Sequence, residues 1–197
     1  MKKVFFIFLL SFTFSTLIAQ DIKMGLFLSP SINSINTNDF SSDKKKIGFN
    51  YGYAIEFPLT ENHSIESGFE ISKKSGEIDN TNYKSHYLTF PAYIKMKSRQ
   101  FGYFTYFAKT GPSIAIKLRD NVESVNQNVV VLGGDAKNLM ILMNIALGAE
   151  YSLKQETSLI AELYIKNGIT HGWKDNGGRS YETFLFNQFG ISLGFLF

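Results

Sequence analysis

The chain has 197 residues, enough for one ordinary domain, with 19% charged and 15% aromatic side chains. It has no cysteine, which excludes disulfide scaffolds, thiol catalysis and cysteine-ligated zinc or iron–sulfur sites. The net charge of +3 owes two units to Lys2 and Lys3, leaving 18 basic against 17 acidic residues, so the balance gives no reason to expect a nucleic-acid partner.

Met1-Lys2-Lys3 is a positive start followed by an apolar run from Val4 to Ile18, and polarity begins at Asp21. This order predicts a secretory signal peptide over residues 1–19, with cleavage between Ala19 and Gln20. The run of 15 residues is short of the roughly 20 that a spanning helix needs. Residues 20–197 then form the mature domain. No later segment reads as a membrane helix, so a membrane-spanning fold must be a closed barrel.

The mature sequence reads with period two. The first strand is expected near 22–32, with Met24, Leu26 and Leu28 on one face. From Ile47 to Leu59 the alternation is strict over thirteen residues: Ile47, Phe49, Tyr51, Tyr53, Ile55, Phe57 and Leu59 against Gly48, Asn50, Gly52, Ala54, Glu56 and Pro58. Further strands are expected near 64–74, 84–97, 102–118, 138–153 and 157–168. The last carries Phe189, Ile191, Leu193, Phe195 and Phe197 on one face and Gln188, Gly190, Ser192, Gly194 and Leu196 on the other. Connections 60–63, 98–101 and 154–156 are short, whereas 33–46, 75–83, 119–137 and 170–183 are long and polar. Short turns at one end and long loops at the other predict an all-β fold, an eight-stranded antiparallel up-and-down transmembrane β-barrel with both termini on the periplasmic side.

Alternation alone leaves open a soluble barrel with an apolar interior. Residue size favours the membrane reading. The less apolar face is rich in glycine (Gly25, Gly48, Gly52, Gly68, Gly111, Gly148, Gly190, Gly194), which suits the crowded interior of eight strands, and the bulky face suits lipid. Phe57, Phe104, Tyr151, Phe195 and Phe197 near the short turns, and Phe49 and Tyr51 near the long loops, fit two interfacial girdles. Ser67, Lys73 and Asn187 break the lipid face; Lys73 lies near the long-loop rim, where a cation meets anionic headgroups. Pro91 and Pro112 fall in adjacent strands, where a bulge or weakened pairing is expected.

The inner face carries Glu56, Glu66, Glu70, Lys95, Lys109, Glu150, Glu162 and Lys166. Buried charges must be paired or solvated, so these residues are expected to form a polar network that fills the lumen. Paired carboxylates can also perform acid–base chemistry, but a filled lumen denies access to substrate. His86 beside Ser85, or His171 with Ser180, could be read as a base and nucleophile near the outer rim; no spacing demonstrates it, and loop histidines are the plainer reading. No histidine–carboxylate pair has metal-ligand spacing, and Gly133-Gly134 and Gly177-Gly178 are loop glycines, so no cofactor is expected. Asp39, Asp43 and the Lys44–Lys46 run belong to the first long loop, where the lysines either face solvent or contact lipopolysaccharide phosphates. Trp173 is a loop anchor or a partner contact, and Val129–Leu132 extends a hairpin above the membrane.

Four short stretches stand in order: Tyr87-Leu88-Thr89-Phe90-Pro91-Ala92, Lys109-Thr110-Gly111-Pro112-Ser113, Ala146-Leu147-Gly148-Ala149-Glu150-Tyr151, and Glu162-Leu163-Tyr164 followed by Gly168. Together they resemble the small outer-membrane barrels of the porin/PorT-like family of Bacteroidetes-type bacteria. The terminal alternation ending in Phe197 is similar to the signal read by the barrel-assembly machinery. The resemblance implies the outer membrane as location, with its lipid and lipopolysaccharide and that machinery as partners. It implies no particular activity. The expected role is non-enzymatic, structural or in surface interaction through the long loops, with an unknown protein partner there. The alternatives are a small passive channel and, further off, a lipid-modifying enzyme.

Overall fold

Wherever side chains alternate between bulky-apolar and small-polar, the backbone is extended. The computed structural model describes residues 22–37, 45–78, 81–124, 139–154, 157–170 and 184–197. They form β1 (Lys23–Thr37), β2 (Lys46–Pro58), β3 (His63–Ile78), β4 (Thr81–Lys97), β5 (Phe104–Ser124), β6 (Leu139–Lys154), β7 (Thr157–Gly168) and β8 (Phe184–Leu196). Each strand pairs antiparallel with its sequence neighbour, and β1 pairs with β8 to close the barrel. Met24 and Phe197 exchange both backbone hydrogen bonds at 2.7 Å, which pairs the seam at its short-turn end.

Closure puts one parity of every strand outside. Leu26, Ile47, Ile94, Ile145, Leu147, Leu163 and Leu193 are exposed there, while Ser29, Asn50, Glu56, Thr89, Lys95 and Asn144 are buried within. This is the reverse of a water-soluble core, and it is the distribution expected of a barrel solvated by lipid. Aromatic rings meet at both ends of the outer surface: Phe104 against Tyr151 at 5.1 Å and Phe195 against Phe197 at 6.0 Å near the short turns, and Phe49 against Tyr51 at 6.4 Å near the other end.

Four strands run further than their hydrophobic pattern. β3 continues to Ile78 and β4 begins at Thr81, paired directly, so the expected loop 75–83 is mostly hairpin. β5 stays paired with β4 as far as Ser124, and β1 with β8 as far as Thr37↔Phe184. The physical reason is that backbone pairing needs no lipid. Above the apolar belt both faces meet water, the period-two contrast vanishes, and the extended chain reads as loop. The Val129–Leu132 segment lies outside the described residues.

The prolines weaken pairing as expected, without moving the register. Between β3 and β4 the ladder lapses from Ser67↔Ala92 to Glu70↔Thr89, and between β4 and β5 from Pro91↔Ser113 to Ile94↔Thr110. Ser67, one of the polar residues on the outer face, donates its hydroxyl to the Pro91 carbonyl at 2.9 Å and so satisfies the acceptor the ladder leaves. The actual bulge in β5 lies elsewhere: His86 pairs with Arg119 and Tyr87 with Lys117, so Leu118 is the extra residue. Gly68, beside the first lapse, has φ of +142°. A Cβ there would collide with the Tyr53 carbonyl oxygen. Gly68→Ala is expected to cost about 1–3 kcal/mol. Gly102→Ala, at φ +63° with nothing nearby, should cost about 1 kcal/mol from backbone strain alone. Urea titration in detergent, read by heat-modifiable gel mobility, checks the ranking; equal midpoints would refute the steric account.

Candidate functional site

The lumen is where the strands converge their polar residues. Register creates a problem first: Glu56 lies directly opposite Glu66, and Lys95 opposite Lys109. Like charges in cross-strand pairs repel. The diagonal contacts resolve it. Lys95 Nζ lies 2.8 Å from Glu56, 3.5 Å from Glu66 and 2.6 Å from Glu150, with no exposure to solvent. Lys97 reaches Glu56 at 2.5 Å and Glu150 at 3.1 Å from the short-turn side. Lys109 bridges Glu66 at 2.6 Å and Glu162 at 2.8 Å. Higher up, Lys166 donates to both oxygens of Glu70, at 2.7 and 2.5 Å, and Ser72 donates to the same carboxylate at 2.6 Å. All eight charged residues expected in the lumen lie in it and each touches another.

Two further lysines join them. Lys97 follows Lys95 by two, and Lys74 is buried two residues after Ser72. Both have lumen parity, and that parity was the signal available in the sequence. Lys97 is a fourth ion-paired ammonium among the five carboxylates, and Lys74 lies over the Tyr87 and Phe186 rings at 5.2 and 5.6 Å. A second polar group occupies the opposite wall. Gln188 donates to Ser31 at 2.8 Å and Asn33 at 3.0 Å, and Asn50 donates to the Tyr164 hydroxyl at 2.9 Å.

The expectation of an interior filled by small residues needs correction. Tyr87, Tyr93, Phe107, Tyr164 and Phe186 are all buried inside. Lysines pack on their faces: Lys95 over Phe107 at 4.3 Å, Lys166 over Tyr164 at 5.0 Å, Lys109 over Tyr93 at 5.4 Å. The glycines are small because the rings are large. Gly148 sits opposite Phe107, Gly190 opposite Tyr164 and Gly52 opposite Phe27, and a Cβ on any of the three would strike that ring. Glycine and aromatic together fill the volume of a cross-strand pair.

Little space is left. The cavity bounded by Glu66, Glu70, Lys109, Glu162 and Lys166 holds about 40 Å³, room for a few water molecules. At the short-turn end the lumen opens into a vestibule of about 840 Å³, edged by Lys23, Glu61, His63 and Arg99 and floored by Lys97 and Glu150.

Ser85 and His86, being adjacent in β4, point to opposite faces: Ser85 is buried inward and His86 faces out. That pair is not brought together. His63 opens β3 and meets the Thr60 hydroxyl oxygen through Nδ1 at 3.1 Å. Among the described residues no three His, Asp or Glu side chains could share a metal ion. His171, Trp173, Ser180, Asp39, Asp43, Lys44 and the signal residues Ala19 and Gln20 lie outside the described residues, as do Gly133-Gly134 and Gly177-Gly178. Phe189, Ile191, Leu193, Phe195 and Phe197 all project outward from β8 and its end.

Lys95 is the hub of the lower cluster, so its removal is informative. Lys95→Met leaves Glu56, Glu66 and Glu150 buried without their shared cation. Breaking a buried charge group from one side costs about 3–5 kcal/mol. The urea midpoint in detergent should fall accordingly; an unchanged midpoint would show that Lys97 and Lys109 suffice.

This geometry can be set beside known proteins. Residues 18–172 match the family described as "Outer membrane protein beta-barrel domain". No curated protein matches the chain by sequence. Among solved structures, the outer membrane enzyme PagL is similar with a TM-score of 0.53 at 10% identity, over 85% of this chain and 97% of that one. Neisserial surface protein A gives 0.52 at 10% identity, over 87% and 95%. OprG, an outer membrane protein of Pseudomonas aeruginosa, gives 0.50 at 8% identity, over 89% and 95%. At such identity the likeness is one of fold. Family match, closed eight-stranded topology and apolar exterior agree: the chain belongs to the outer membrane protein β-barrel domain family and resides in the bacterial outer membrane.

Proposed function

We propose that this protein is a non-enzymatic barrel with a closed lumen, serving a structural or surface-interaction role at its long-loop rim. The carrying observation is the lumen itself: five lysines and five glutamates leave a central cavity of about 40 Å³. Such an interior serves as a core and not as a path. The rim points the same way, because β3, β4 and β5 continue together as far as Ile78, Thr81 and Ser124. This hydrogen-bonded ribbon presents a base for loops that meet a partner. Within the family we place the chain nearest the porin/PorT-like barrels of Bacteroidetes-type bacteria, on the stretches around Pro91, Pro112, Tyr151 and Glu162. The β8 side chains ending at Phe197 are assigned to recognition by the assembly machinery, since they are apolar, outward and at the seam.

The related fold of PagL, an enzyme by its name, keeps a second reading testable. Planar bilayers with the purified mature barrel should show no resolved conductance steps. Reproducible openings would instead assign it a channel role. Lipid A from expressing and non-expressing cells should have the same mass spectrum; a new acylation state would overturn the non-enzymatic reading.

A further inference from the structure

One row of the outer surface departs from the apolar pattern. Register places Phe49, Lys73, His86 and Arg119 side by side across β2, β3, β4 and β5. Lys73 and Arg119 are exposed and His86 half-buried. The next row towards the short turns is wholly apolar: Tyr51, Ile71, Leu88 and Ile116. Consecutive rows on one face are about 7 Å apart, so the basic row lies immediately above the belt that lipid chains cover. Among the described residues no ion pair engages Lys73 or Arg119.

The bulge makes this row. Tyr87 pairs with Lys117, so a regular ladder would put Leu118 opposite His86 and turn Arg119 inward with Ser85. The extra residue shifts the frame by one, turns the Arg119 guanidinium outward and completes the row. Re-aiming a side chain is a characteristic effect of a bulge. A cation that faces lipid is costly at mid-membrane and favourable at the headgroup level of an anionic leaflet. Adjacent strands are about 4.8 Å apart, so the two outer cations stand about 10 Å from each other with an imidazole between. A tetrahedral phosphate ester fits between them, accepting hydrogen bonds from the guanidinium, the ammonium and the ring. Its acyl chains would lie on the apolar row below, with Phe49 at the flank.

We propose that Lys73, His86 and Arg119 form a binding site on the outer face of β3–β5 for the phosphate of an outer-leaflet lipid. The site is independent of whether the lumen conducts. The probe is diphosphoryl lipid A, compared with its dephosphorylated form, added to the purified mature barrel in detergent and read by native mass spectrometry. The wild-type barrel should retain one diphosphoryl lipid in preference to the dephosphorylated one. K73Q/R119Q should bind about 30-fold more weakly, given the affinity typical of two basic side chains at a membrane surface. K23Q/R99Q removes the same charge at the opposite rim and should bind like wild type. Heat-modifiable mobility confirms that each variant is folded. Equal retention by K73Q/R119Q, or an equal loss in K23Q/R99Q, would overturn the site. Complete displacement by inorganic phosphate would reassign it to free anions and overturn the lipid.

Discussion

In hydrocarbon, an unpaired backbone amide or carbonyl costs several kcal/mol, and water is not there to relieve it. Everything in this chain follows from meeting that constraint with strands. They must close, so β1 and β8 are joined by reciprocal hydrogen bonds between Met24 and Phe197. Where the ladder lapses beside Pro91, a local substitute appears: the Ser67 hydroxyl donates to the Pro91 carbonyl. A serine that looks misplaced on a lipid-facing surface is therefore part of the backbone's own accounting.

Closure then creates a second problem, an interior too narrow for solvent and too polar to stay empty. Shape and charge are solved together. Glycine gives way to an aromatic on the neighbouring strand, as with Gly148 and Phe107, and a lysine lies on that ring while reaching carboxylates from other strands. Buried ion pairs of this kind add little net stability over apolar packing of the same volume. Their effect is on register. A one-residue slip would turn each ammonium out to lipid and bring an isoleucine or leucine in, so the alternatives are strongly disfavoured.

The same constraints explain why similar barrels share about 10% of their residues. An outward position needs only to be apolar, and an inward one only to complement its neighbours in size and charge. Fold of this kind carries no single activity, and the names of the similar structures include both an enzyme and a surface protein.

The sequence by itself determined the strands that lie in lipid, their facing and the charged residues within. The 47–59 and 189–197 alternations are unambiguous because one face meets hydrocarbon and the other does not. Lys74 and Lys97 also carry lumen parity, although their part emerged only when the Tyr87 and Phe186 rings were seen beside Lys74, and Glu56 and Glu150 around Lys97. Only the tertiary structure decided the rest. Pairing above the belt leaves no periodic trace, so the extensions of β3, β4 and β5 read as loops. An inward aromatic such as Tyr93 or Phe107 looks like any other strand former until the glycine across from it is known. The bulge at Leu118 is a relation between two strands, a count of residues on one against the other, and a single strand's sequence does not contain that count.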